Sequence, residues 1–354
     1  MKKASKMALV VKPLAVAAVL ACACAAAQAQ SNVTIYGRID AGVNYQSGVQ
    51  VGTSTKTGSE WAASGNEWGT SMFGIKGTED LGGGLQALFT LENGFNADNG
   101  AVNGGSGLWT RRSYVGLSGA DGTIKVGKDL AIENAIWDID PTGQQAMSTS
   151  TLVEGRNWPQ TNNMVSYQTP SFGGFTVSAM HGFGEQAGSF TDGSSDGVAF
   201  TYTQSNLELL GVYDVQRSAT GQYTSLYTDS KDLILGGTYT IDKLKLFAGF
   251  ENIRATVDTT DGTRNNMYWG GVNYQVTPAL LLIAAAYHAN VNEGIGGASL
   301  YMIGANYSLS KRTLLYASLG TLRNSSASDF TIETGTGVAG QNMNALYFGV
   351  SDSF

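Results

Sequence analysis

The chain has 354 residues, of which 47 are Gly, 16 Tyr and 5 Pro, and only 14% are charged. That composition excludes a helical bundle and fits many short strands joined by glycine-containing turns. The formal charge is −7 with no basic cluster, which excludes a nucleic-acid partner.

Lys2, Lys3 and Lys6 open the chain, Lys12 precedes an Ala-rich run from Leu14, and Ala27-Gln28-Ala29 follows. Small residues at those two positions are what a signal peptidase reads, so residues 1–29 are expected to be a cleaved secretory signal. The stretch is too short and Ala-rich for a retained anchor, which needs about 20 apolar residues. A lipid anchor on Cys22 is the alternative, although Leu20 before Ala21 fits it poorly. Residues 30–354 then form one domain without cysteine, closed by neither disulfides nor thiolate metal sites. Cleavage also removes four bases, leaving 17 Lys+Arg against 28 Asp+Glu, a net of −11.

The first patterned element is 34–45. Ile35, Ile39, Ala41, Val43 and Tyr45 share one face of a strand, with Tyr36, Arg38, Asp40 and Asn44 on the other. In 233–239 the odd positions are the larger apolar ones. Leu244, Leu246, Ala248 and Phe250 oppose Lys243, Lys245 and Glu251. Tyr268, Val272, Tyr274 and Val276 oppose Trp269, Asn273 and Gln275, and Leu346, Phe348 and Val350 close the series. The run 280–287 is apolar on both parities, and its faces cannot be assigned.

Tight turns near 80–84, 118–122, 170–174, 204–206, 241–243, 275–279 and 308–312 alternate with long polar loops. The loops fall near 46–65, 96–108, 129–161, 184–196, 217–229, 255–264, 291–299 and 323–342. Seven turns and eight loops join 16 strands, the arithmetic of an all-β, antiparallel, up-and-down barrel with turns on one rim and loops on the other. An even number lets the first and last strands pair and remove the sheet edge.

Tyr167, Tyr202, Tyr239, Tyr274 and Tyr307 each precede a tight turn by one to three residues, on their strand's apolar face. Strand propensity accounts for tyrosine in strands. It does not account for one face at one rim in five successive strands. An aromatic belt at a membrane–water interface does. The apolar faces therefore meet lipid, and Arg38 and Asp40 point into a lumen that 16 strands make wide enough for water.

Five stretches in this order, "VTIYGRIDAGV" (33–43), "FGIKGTEDLGGGLQALFTLE" (73–92), "RRSYVGLSGADGTIKVGKD" (111–129), "NNMVSYQTPSFGGFTVSA" (162–179) and "LYFGVSDSF" (346–354), carry a resemblance. The chain resembles the trimeric general porins of Gram-negative outer membranes, especially the β-proteobacterial group, over nearly all of its mature length. The resemblance implies a homotrimer in outer-membrane lipid and lipopolysaccharide, passing small hydrophilic solutes and ions by passive diffusion. It implies no cofactor, no metal and no enzymatic activity. Phe354 matches the aromatic residue read by the outer-membrane assembly machinery, although Asp352 interrupts the apolar series before it.

The resemblance also implies that the third long loop folds inward as a constriction, with Asp129, Glu133, Asp138, Asp140 and Glu154 facing a basic wall. A connection of that length calls for a function or disorder. Alternation puts Arg38, Lys76, Arg112 and Lys125 in the lumen, because Ile39, Ile75, Val115 and Val126 define the outward face. Lys128 matches a family base but has the parity of Val126, so it reaches the lumen only if its strand yields to the loop. Met72 and Ser166 stand where the family often carries Arg. The thinner basic wall and the acidic balance lean toward cations.

Other signals are weaker. "GTIKVGKD" (122–129) approaches a phosphate-binding loop, but Asp129 replaces the required Ser or Thr and no helix pattern follows. "WDIDPTG" (137–143) and "TDGSSDG" (191–197) read as exposed turns before calcium motifs. His181 and His288 lack metal-ligand spacing, and His181 has outward parity, which disfavours a Ser–His enzyme. The rival readings are a substrate-selective channel, a non-conducting barrel acting as adhesin or structural protein, and a water-soluble β-sandwich.

Overall fold

The computed structural model describes residues 32–105, 107–143, 145–256, 263–333 and 337–354. The expected signal at 1–29 and most of the expected 255–264 loop lie outside the described residues. Among the described residues, 18 strand segments form a single antiparallel sheet that closes as a 16-stranded barrel. Two barrel strands are each made of two segments. Thr57–Gly65 and Ser71–Gly82 both pair with Asn32–Gln50, and Val102–Asn103 and Arg112–Gly119 both pair with Leu85–Phe95. Met343–Ser353 pairs back onto Asn32–Gln50 with Val350 opposite Ala41, which removes the open edge.

The faces have the polarity expected of a membrane barrel. Ile35 is 61% exposed and Ile39 47%, whereas Asp40, Asp214 and Glu251 are 0% exposed. Tyr167, Tyr239, Tyr274 and Tyr307 stand out from the turn rim, and the Tyr202 ring lies 4.4 Å from that of Phe175. One expected loop is mostly strand: Asn32–Gln50 and Thr57–Gly65 form a hairpin whose tip is 51–56. Alternation fades there because a strand rising beyond the membrane has water on both faces.

At the seam, the Gly37 N–H donates to the Phe354 carbonyl at 3.1 Å, and the Phe354 N–H donates to the Gly37 carbonyl at 3.1 Å. The Phe354 ring lies over Gly37, so a Cβ there would overlap the ring and the Met72 carbonyl. Gly37→Val should cost about 1–3 kcal/mol by overpacking. Semi-native electrophoresis should then show the folded band lost at a lower temperature. An unchanged melting profile would mean that the seam accommodates a side chain.

The longest connection turns inward. Between the strands Gly122–Leu130 and Gln160–Gln168 it forms two 3-10 turns, Ile132–Asp138 and Thr149–Val153. The Ser148 hydroxyl caps the second turn by accepting from the Ser150 N–H. Ile136, Ile139, Met147, Leu152 and Val153 pack on the inner wall against Ile234, Ile253, Met267, Trp269, Ile283 and Tyr287. Each such side chain contributes about 1.5–3 kcal/mol when fully buried, so the apolar core lies inside the barrel between loop and wall. Wall glycines make the seats. A Cβ at Gly197, Gly236, Gly271 or Gly320 would strike Ile132, Ile139, Pro141 or Met147 respectively. The run apolar on both parities has its cause here: Ile283, Ala285 and Tyr287 face the loop while Leu282 faces out. Phe330 and Ile332 of the last long loop join the same core.

Candidate functional site

The inner faces of the first barrel strands bring together the basic groups. Arg111 Nε lies 2.8 Å from Glu92 Oε1, and Arg112 reaches Glu92 at 3.5 Å and Asp129 at 3.4 Å. Tyr36 donates to Glu92 Oε2 at 2.8 Å. Lys125 pairs with Asp129 at 2.9 Å and lies 4.6 Å from the Tyr114 ring centroid. Lys76 sits over the Tyr36 ring at 5.0 Å. Arg38 Nε donates to the Thr70 carbonyl at 3.0 Å and its guanidinium lies 5.3 Å from the Trp68 ring centroid.

Trp68 and Thr70 belong to the gap between Thr57–Gly65 and Ser71–Gly82, and Asp40 holds that gap inside. The Trp68 N–H donates to Asp40 Oδ1 at 3.3 Å, the Asp40 N–H donates to Ser71 Oγ at 2.9 Å, and Tyr316 donates to Asp40 Oδ1 at 3.2 Å. Asp40 is thus inside the barrel but sealed, a clamp on the inward turn.

The opposite wall holds the loop. Arg156, fully buried, donates to Glu133 at 2.7 Å, to Asp214 at 2.8 Å and to Ser230 Oγ at 2.8 Å. Asn157 donates to Glu251 at 3.3 Å, and Asp232 stands directly across from Asp214 in the ladder. Further along, Asp140 accepts from the Thr142 and Thr149 N–H groups and from Tyr287 at 2.8–2.9 Å. Trp269 Nε1 donates to the Ile139 carbonyl at 2.9 Å, and Asn273 donates to that of Pro141 at 3.0 Å. A buried guanidinium of this kind needs its carboxylates, and breaking such a pair costs about 3–5 kcal/mol.

On the loop side of the lumen a cavity of about 800 Å³ is lined by Glu60, Glu67, Asp98, Glu154, Asp329 and Glu333, with no Lys or Arg among its described lining residues. Asn44 donates to both Glu67 and Glu333 at 3.3 Å. Burial, and then Asp329 nearby, push the Glu154 carboxyl above its ordinary range.

The Gram-negative porin family model matches residues 15–327. The chain belongs to the Gram-negative porins. Outer membrane porin protein 32 of Delftia acidovorans is 30% identical, with 97% of this chain and 99% of that protein covered. An outer membrane porin protein of Bordetella pertussis is 29% identical over 86% of this chain and 92% of its own. Among solved structures, the anion-selective porin from Comamonas acidovorans superposes with a TM-score of 0.80 at 26% identity, covering 92% of this chain and all of that one. OmpT of Vibrio cholerae in a trimer form gives a TM-score of 0.67 at 14% identity over 92% of this chain and 99% of its own. The porin is therefore an outer-membrane channel for passive diffusion, and not an enzyme.

Within this porin, the expected constriction set divides. Arg38, Lys76, Arg112 and Lys125 share the lumenal face with Asp129. Lys128 leaves the set. The ladder to Arg112–Gly119 runs without a shift here, with Lys128 opposite Ser113 and two residues from the pair Val126–Val115; the ladder to Gln160–Gln168 does shift between Gly127 and Asp129, yet Asp129 keeps the inward parity of Lys125, so Lys128 stays on the outward face. Glu133 and Asp140 are corrected as well: at 0% and 2% exposure they are spent on fixing the loop and do not face the passage. Asp138 is exposed and lies toward Glu208 and Lys245, near the turn rim. Glu154 opens into the carboxylate-lined cavity. Alternation cannot find Arg111, which precedes its regular strand on the wrong parity; the Arg-Arg pair is the single hint.

Proposed function

We propose that this porin passes small hydrophilic solutes and ions with a modest preference for anions, set where the inward loop narrows the lumen against Arg38, Lys76, Arg111, Arg112 and Lys125. The observation that supports this reading is the pairing on that face. Glu92 and Asp129 are engaged by Arg111, Arg112 and Lys125, while Arg38 and Lys76 have no carboxylate partner among the described residues. The lean toward cations loses part of its basis once Glu133 and Asp140 are sealed away from water. The similar Comamonas acidovorans porin is described as anion-selective, which points the same way. The six carboxylates of the loop-side cavity oppose the preference and keep it modest.

Planar-bilayer recording in a salt gradient should give a reversal potential of anion sign; a cation sign overturns the reading. Neutralising the cavity with Glu154→Gln and Asp329→Asn together should strengthen the anion preference, whereas no change would place those carboxylates outside the ion path. Flux that saturates for one sugar or anion would instead indicate a substrate-selective channel. Absent conductance with lost cell attachment would favour the adhesin reading. The same reading includes a cleaved signal at 1–29, a homotrimer, and Phe354 as part of the signal for outer-membrane assembly. N-terminal sequencing of the exported protein and cross-linking in intact membranes test the first two.

A further inference from the structure

The second barrel strand leaves the wall at 66–70, between Thr57–Gly65 and Ser71–Gly82, and this inward turn surrounds one charged group. The Arg38 guanidinium faces the Trp68 ring, and its Nε is spent on the Thr70 carbonyl. Gly69 makes the third contact: a Cβ there would overlap Cζ, Nη1 and Nη2 of Arg38. Backbone freedom does not account for this glycine, because it stays out of the left-handed region. It is a seat for the guanidinium. Among the described residues the Nη groups of Arg38 donate to nothing, and the side chain stays half-buried on the lumenal face.

The turn that supplies these contacts is itself tied down on several sides. Asn66 opens it with a φ of +71°, a conformation that asparagine adopts more readily than most residues. Its side chain donates to the Phe95 carbonyl at 3.2 Å and to Asn96 Oδ1 at 2.9 Å. The Ala146 N–H of the constriction loop donates to the Glu67 carbonyl at 2.9 Å, so the turn stands where the lumen narrows. Trp68 packs on the inner apolar core, and its Nε1 lies 3.2 Å from the side-chain amide of Asn306. Thr70 Oγ1 accepts from Arg111 Nη1 at 3.3 Å, which brings the second base to the same turn.

Asp40 follows Arg38 by two residues on the same inward face. Its Oδ1 accepts from the Trp68 N–H and from Tyr316, but its Oδ2 is buried and has no hydrogen-bond partner among the described residues. A buried carboxylate oxygen left unsatisfied is costly, and a long flexible base beside it would ordinarily swing over and pair with it. Arg38 makes no such pair among the described residues, and Glu92 is already taken by Arg111 and Arg112. We infer that Trp68 and Gly69, neither of them charged, are positioning residues for ion discrimination: with the Thr70 carbonyl they hold the Arg38 guanidinium off Asp40, so that its charge stays available to anions in the passage. This rests on the reading of Arg38 given above and deepens it. The aromatic face supplies attraction without neutralising the cation, and the missing side chain at Gly69 supplies the room.

The test is the reversal potential of the full protein in planar bilayers under a potassium chloride gradient. Gly69→Ala adds one methyl group, changes no charge and meets the movable end of Arg38, so the barrel should fold as before. It should shift the permeability ratio toward cations by roughly two-fold or more, since a carboxylate at contact distance cancels most of the field of a unit charge. Trp68→Leu should act alike, whereas Trp68→Phe keeps an aromatic face and should keep most of the anion preference. In an Asp40→Asn background, which retains an acceptor for the Trp68 N–H, Gly69→Ala should have little effect, because the released guanidinium has no carboxylate to join. Gly69→Ala or Trp68→Leu at the wild-type reversal potential, while Arg38→Ala moves it, overturns the inference and leaves the reading of Arg38 standing. Arg38→Ala without effect overturns both. An equal shift from Gly69→Ala in the two backgrounds shows that Asp40 is not what the turn guards against, and overturns the inference as well.

Discussion

Deleting residues 134–152 should raise single-channel conductance by roughly two-fold, because an unobstructed 16-stranded barrel is a wide aqueous channel. The deletion removes Ile136, Ile139, Met147 and Leu152 together with the Asp140 clamp, which are the groups that hold the loop across the lumen. It keeps Glu133 and Arg156, so both stems stay tied to Asp214 and Ser230 on the wall. The barrel ladder itself is untouched, and the folded band should survive, although Ile283, Trp269 and Tyr287 become wet. Arg156→Ala attacks the opposite end of the same device. It strands Glu133 and Asp214 without their cation, at about 3–5 kcal/mol, and should give a channel that flickers between narrow and wide levels. A deletion channel with wild-type conductance would show that the loop does not limit the passage, whatever it touches.

Arg38→Ala should shift permeability toward cations by up to about five-fold, since a unit charge at about 4 Å is worth about 1 kcal/mol in water. Salt screens part of that, so the shift should be largest in dilute electrolyte. Arg38 matters more than Arg111 or Arg112 because its charge is not spent on Glu92. Lys76→Ala should act in the same direction, and the double variant should add to it. Arg38→Lys should keep the sign of the selectivity while losing the hydrogen bond to the Thr70 carbonyl. A reversal potential that stays put in Arg38→Ala removes this residue from ion discrimination.

Much of the barrel is written as parity. A side-chain period of two, tight turns alternating with long loops, and tyrosines at one rim suffice to place Arg38, Lys76, Arg112 and Lys125 on the wet side. Parity also places Lys128 outward, and the shift at that position in the ladder to Gln160–Gln168 does not reverse it. What parity cannot reach is anything held by contacts distant in sequence. Glu133 and Asp140 look like pore acids until Arg156, Tyr287 and the Thr149 N–H close around them. The inward turn at Trp68 depends on Asp40, 28 residues earlier, and Tyr316, 276 residues after Asp40. One trace of the loop's seat was nevertheless visible. A strand apolar on both faces, as at 280–287, has a dry neighbour on each side, and in a barrel the inner neighbour must be a piece of the chain itself.

The glycine sockets of the inner wall bear on any attempt to re-engineer the aperture. Ile132, Ile139, Pro141 and Met147 each occupy the place of a missing wall side chain. A bulkier plug transplanted from another channel would arrive at sockets cut for different knobs, and a wall substituted at those positions would evict the resident plug. Plug and socket form one lock, so chimeras should succeed only when both halves are exchanged together.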